Sequence, residues 1–162
     1  MSRAEILVKS EKYLHQAMKD LTPLAHFVAS DMRRGQGRHQ DSITETAHAL
    51  ALDAGDPVGY LAMARALIWA GSPAEGAEFI KKAMRHYPNY PPEYLHWLGV
   101  AQFGMERFEE AATTLEESIR RSTYTETPLW LAATYGHLRR VQEAMNAIKM
   151  FDERKAKTGW FF

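Results

Sequence analysis

Residues 94–111 read YLHWLGVAQFGMERFEEA. Two apolar stripes are interrupted by Gly104 and the charged pair Glu106-Arg107. Apolar residues at helical spacing on both sides of a short polar break describe two helices folded back on each other. Leu98-Gly99 and Ala111-Ala112 then fall on opposite arms of one hairpin, and small residues there let the arms approach closely. We expect Gly99 and Ala111 to be the two sides of that contact.

The hairpin recurs. Gly99, Phe108, Ala111 and Ser118 follow Ala64, Pro73, Gly76 and Ala83 by 35 residues. Ala132, Val141, Ala144 and Phe151 come 33 residues after them, and Ser30, Gly37, Ser42 and Ala49 lie 34 before Ala64, Gly71, Gly76 and Ala83. A period near 34 in four consecutive windows predicts stacked helix-turn-helix units at about 23–56, 57–91, 92–124 and 125–158. Within the second unit, Tyr60, Met63, Ala64 and Leu67 mark a first helix, AGSPAE the turn, and Ile80, Ala83, Met84 and Tyr87 a second helix. Residues 1–22 read as a capping helix and 159–162 as an aromatic tail, with Trp160, Phe161 and Phe162 expected to pack back or to meet another copy of the chain. The first unit is the most divergent, because Ser30 and Ser42 replace small apolar residues and RRGQGRHQ forms its turn.

Composition sets the outer bounds. Lys plus Arg and Asp plus Glu are 20 each, so no net field draws the chain to nucleic acid or an anionic membrane. The absence of cysteine excludes disulfides, thiolate metal sites and cysteine nucleophiles. MSRAEILVKSEKYLHQ lacks the apolar core of a signal peptide, and no apolar run is long enough for a membrane span, so a cytoplasmic protein is expected.

The pattern resembles the tetratricopeptide repeat on the strength of WLG at 97–99, EEA at 109–111, QEA at 142–144 and Pro88 closing one unit. This resemblance implies an all-α, right-handed α-solenoid with short turns. The run 66–111, ALIWAGSPAEGAEFIKKAMRHYPNYPPEYLHWLGVAQFGMERFEEA, also resembles repeats attached to bacterial class III adenylate or guanylate cyclases. In those chains the repeats lie C-terminal to the catalytic domain and act as sensing or assembly modules. The chain is then either a piece of such a protein or a free-standing relative.

The resemblance implies a peptide-binding concave face built from the first helices. Its inward positions fall on Phe27, Asp31 and Arg34, then Leu61, Arg65, Ile68 and Trp69, then His96, Val100 and Phe103, and finally His137. Trp69 and Arg65 are the main anchors, as desolvated aromatic and Arg side chains dominate interface energies. Chaperone-binding members of the family clamp a terminal carboxylate with inward Lys and Asn. The matching positions here are Phe27, Asp31, Leu61 and Arg65, of which only Arg65 is cationic, so that clamp is not expected. A mixed apolar groove for an extended or helical peptide fits better. The linker HYPNYPPEYLHW, 86–97, reads as a structural joint in which Tyr90 and Tyr94 pack and Pro91-Pro92 start a helix.

Two Glu-x-x-His pairs, Glu45/His48 and Glu93/His96, raise the alternative of a helical di-iron enzyme. The repeat places one pair on a second helix and the other on a first helix two units on, so they are not expected to converge. RRGQGRHQ has neither the preceding strand nor the following Lys-Ser/Thr of a phosphate loop. The expectation is a non-catalytic scaffold or regulatory module without cofactor or metal, whose partner is a protein or peptide or another copy of itself. A pure oligomerisation domain is the third reading.

Overall fold

A computed structural model of the chain describes residues 3–158. The described residues form nine α-helices in sequence, paired as antiparallel hairpins. After α1 (Arg3–Ala17) come α2 (Pro23–Gly35) with α3 (His39–Leu52), and α4 (Pro57–Trp69) with α5 (Pro73–His86). Then follow α6 (Glu93–Gly104) with α7 (Phe108–Arg121), and α8 (Thr127–His137) with α9 (Val141–Thr158). This is an all-α solenoid of the tetratricopeptide type. Residues 159–162, and with them Trp160, Phe161 and Phe162, lie outside the described residues. Among the described residues no helix is long and apolar enough to cross a membrane.

Local chemistry starts and stops these helices. Thr22 caps α2 by accepting from the Ala25 amide at 3.2 Å, and Asp56 caps α4 by accepting from Val58 at 2.9 Å. Pro23, Pro57 and Pro73 occupy first-turn positions, where a missing amide proton costs nothing. All four intra-hairpin turns share one closure. In the second, the Gly71 amide donates to Ile68 O at 3.2 Å and the Ser72 amide to Leu67 O at 2.9 Å. The same pair of bonds recurs at Gly37–Arg38, Glu106–Arg107 and Arg139–Arg140. This Schellman geometry needs one left-handed residue. Gly37 (φ 75°) and Gly71 (φ 87°) adopt it without strain, whereas Glu106 (φ 60°) and Arg139 (φ 58°) do so at a cost of about 1 kcal/mol each.

Close packing within hairpins rests on missing side chains. A Cβ at Gly76 would lie 2.9 Å from the Ala64 carbonyl oxygen and 2.8 Å from Ile68 Cγ1. At Gly99 the crowding comes from Leu115, whose Cγ would be 2.5 Å away, so the residue set against Gly99 lies one turn beyond Ala111. Between hairpins, Leu61, Ala64, Ile80, Ala83, Tyr94, Trp97 and Val100 form one apolar cluster. Ala112, Leu115, Leu131, Ala132, Tyr135 and Ala147 form the next. The divergent first hairpin solves its crossing with polar atoms. Ser30 Oγ lies 2.9 Å from Ser42 Oγ and 2.8 Å from Thr46 Oγ1, all three residues being buried. Each of these bonds contributes roughly 1 kcal/mol net and fixes the register of α2 on α3.

The 86–97 linker is a joint. The Tyr94 hydroxyl donates to Pro57 O at 2.9 Å, and Tyr90 packs on Tyr94 with ring centroids 6.2 Å apart. Arg121 donates to Tyr90 O at 3.0 Å. On the N-terminal side, Glu11 accepts from Arg33 at 3.2 Å and Gln36 at 2.6 Å, tying α1 to α2.

Candidate functional site

Across hairpins, α2 touches α4, α4 touches α6, and α6 touches α8. The second helices α3, α5, α7 and α9 make no such mutual contacts among the described residues. In a curved stack the helices that approach one another occupy the inner radius, so the first helices form the inner face.

On that face Asp31 and Arg65 hold equivalent places in successive units. Arg65 Nη2 donates to Asp31 Oδ1 at 2.9 Å, and Arg34 Nη2 reaches the same oxygen at 3.3 Å. The Arg65 guanidinium also lies 5.2 Å from the centroid of the Trp97 ring. Trp69, 43% exposed, meets Trp130 edge-on with centroids 6.4 Å apart. Aromatic contact continues from Trp130 to Phe103 at 5.5 Å and from Phe103 to His137 at 5.3 Å, and His137 stacks on Phe108 at 4.3 Å.

These side chains open a groove of about 770 Å³. Its walls are Arg34, Arg65, Trp69, Trp97 and Trp130, the 122–126 connection with Tyr124, and Phe151 and Lys155 of α9. A depression of about 300 Å³ adjoins it, where Ile68, Val100 and Phe103 share Trp69 and Trp130. The groove combines cationic and aromatic surface, with Glu126 as a facing acid. Arg34 Nε, Arg65 Nε and Trp97 Nε1 are buried in these walls without an acceptor from the protein. Such donors cost free energy until an acceptor reaches them. Burial raises the Tyr124 phenol above its usual range, aided by Glu126 and Glu93, so it remains a protonated donor.

The sequence-predicted residues divide into two groups. Arg34, Arg65 and Trp69 line the groove, while Ile68, Val100 and Phe103 line the depression. Asp31 bridges the two arginines, and exposed His137 ends the aromatic chain. Three others are packing residues. Leu61 belongs to the core cluster, and Phe27 is half-buried with its ring tip 3.5 Å from where a Gly59 Cβ would lie. His96 is fully buried, its Nδ1 3.0 Å from Thr127 Oγ1 and its ring edge-on to Tyr124. Val100 is 2% exposed and can serve only as floor. The fold adds Trp97, Tyr124 and Trp130, which reasoning from inward repeat positions passed over. One signal pointed to the two tryptophans: Trp97 and Trp130 are 33 residues apart, the same repeat position in consecutive units, whereas nothing in the repeat marked Tyr124.

The two Glu-x-x-His pairs do not converge. His96 packs into the joint between hairpins, whereas Glu45 faces His26 across the first hairpin, with 2.8 Å between Oε2 and Nδ1.

The chain matches no family profile, and no curated protein matches it in sequence. Solved structures do match its fold. TTC0263, a thermophilic tetratricopeptide-repeat protein of Thermus thermophilus, aligns with TM-score 0.78 at 18% identity, over 93% of this chain and 82% of that one. PilF of Pseudomonas aeruginosa gives 0.73 at 17% identity, over 94% and 70%. MamA (41-end) of Desulfovibrio magneticus RS-1 gives 0.71 at 12% identity, over 91% and 86%. At these identities the likeness is one of fold, and the fold is that of tetratricopeptide-repeat proteins.

Proposed function

We propose that the chain is a non-catalytic scaffold that binds a protein segment in the groove between Arg34/Arg65 and Trp69/Trp130. The observation that carries this reading is the pairing of an exposed tryptophan with buried N–H donors lacking a protein acceptor, at one concave site. A segment with an apolar anchor beside a carboxylate or carbonyl would cover Trp69 and satisfy those donors together. A regulatory role for such binding is part of this proposal, and it stands only on the resemblance of the sequence of residues 66–111 to cyclase-attached repeats. Peptide display against the purified chain tests it. Selected peptides should combine aromatic or aliphatic residues with acidic ones, and Trp69→Ala or Arg65→Ala should weaken them by about tenfold or more. Failure to enrich any sequence, or equal binding by both variants, refutes the groove.

A second reading, self-association through the C-terminal hairpin, is favoured by α9. Val141, Met145 and Ile148 form an i, i+4, i+7 stripe, each close to half exposed or more. Light scattering over a concentration series should then give a mass above the monomer, returning to the monomer in Met145→Glu. A monomeric wild type throughout the series defeats this reading.

A further inference from the structure

We infer that His26, Glu45 and His48 form a site for one divalent transition-metal ion of the zinc class. Glu45 and His48 stand three residues apart on α3 and so share a helix face. His26 on α2 meets that face. Its Nδ1 lies 2.8 Å from Glu45 Oε2, and its ring is edge-on to His48 with centroids 5.3 Å apart. One ligating atom from each residue lies within 4.8 Å of the other two. Ligand atoms around a tetrahedral zinc ion, at metal–ligand distances near 2.1 Å, stand roughly 3.4 Å apart. The three groups therefore close on an ion by small side-chain rotations, with no helix movement.

The donor set selects the ion. Two imidazoles and one carboxylate suit zinc and its first-row neighbours, while calcium and magnesium require shells of oxygen. Three protein ligands leave a fourth position for water. Burial is graded along the site: His26 is 5% exposed, the Glu45 side chain 20%, and His48 is open to solvent. The ion thus has an entry path at His48 and a fixed base at His26. The Ser30–Ser42–Thr46 cluster lies one turn along the same two helices and holds their register, so the ligands stand on preset backbone. Metal uptake exchanges the His26–Glu45 hydrogen bond for two coordinate bonds, the imidazole N–H then being carried on the ring nitrogen that does not bind the ion. The ion would staple α2 to α3 in the hairpin whose crossing is polar.

This site shares no residue with the groove, so either can fail without the other. The test uses the tag-free full chain, stripped with a chelator and titrated with Zn²⁺ against a chromophoric competitor. The expected result is one ion per chain and a melting temperature that rises with zinc. His48→Ala and Glu45→Gln should each weaken binding by more than about tenfold and abolish the thermal shift, with unchanged circular dichroism. His48 is exposed, so its variant should fold normally. His86→Ala serves as the control that binds like wild type. Absence of one-to-one uptake, or uptake that survives both ligand substitutions, overturns the assignment.

Discussion

Leu115→Ala is expected to destabilise the protein by about 2–5 kcal/mol, toward the upper end of that range. Leu115 is fully buried on α7, where it fills the space left by Gly99 and joins the cluster made by α7, α8 and α9. Its neighbours there include Ala112, Ala132 and Ala147, whose short side chains cannot reach into the void. For a chain of this length each kcal/mol lowers the melting temperature by about 2–4 °C, so a fall of roughly 8–20 °C follows. Solenoid stability is a sum of unit and nearest-neighbour terms, so damage at this joint should loosen the last hairpin first. Urea unfolding should show a lower midpoint and a broader transition, with early hydrogen exchange in α8 and α9. Lys81→Ala, on the surface, should stay within about 0.5 kcal/mol of wild type. A loss below about 1 kcal/mol for Leu115→Ala would mean that the cluster is not packed as described.

His96 should make the protein acid-sensitive. Burial deprives its charged form of water and Arg65 opposes a second positive charge, which together lower its pKa to about 4. In the unfolded chain the imidazole takes its proton near pH 6.5. Between those two values the unfolded state binds more protons than the folded one, so stability rises with pH across the window. This contribution is fully present above about pH 6.5 and declines as the pH falls toward about 4. The complete loss amounts to about 3 kcal/mol. Urea midpoints measured at about pH 7 and about pH 4.5 should therefore differ strongly in wild type and much less in His96→Gln. Equal acid sensitivity in both proteins would show that His96 reaches solvent in the native state.

The hairpin repeat was readable because its causes are local and periodic. Apolar residues at helical spacing, Pro at first turns, Gly37 and Gly71 at left-handed turn positions and a period near 34 all act within one unit. Part of the groove was readable for the same reason, since Arg34, Arg65 and Trp69 follow from position in the repeat. Other features depend on contacts between units, which periodicity does not specify. The same inward position is a groove wall at Arg65 and a buried floor at Val100, because superposed hairpins shield successive units differently. His96 was drawn into the joint by Thr127 and Tyr124, 31 and 28 residues away along the chain. Pairing in sequence put Glu45 with His48, but only the crossing of α2 over α3 brought His26 to them. The sequence by itself determined the helices and the order in which they stack. Tertiary structure alone decided which of their side chains face one another, because a helix has one sequence but several faces and its neighbours choose among them.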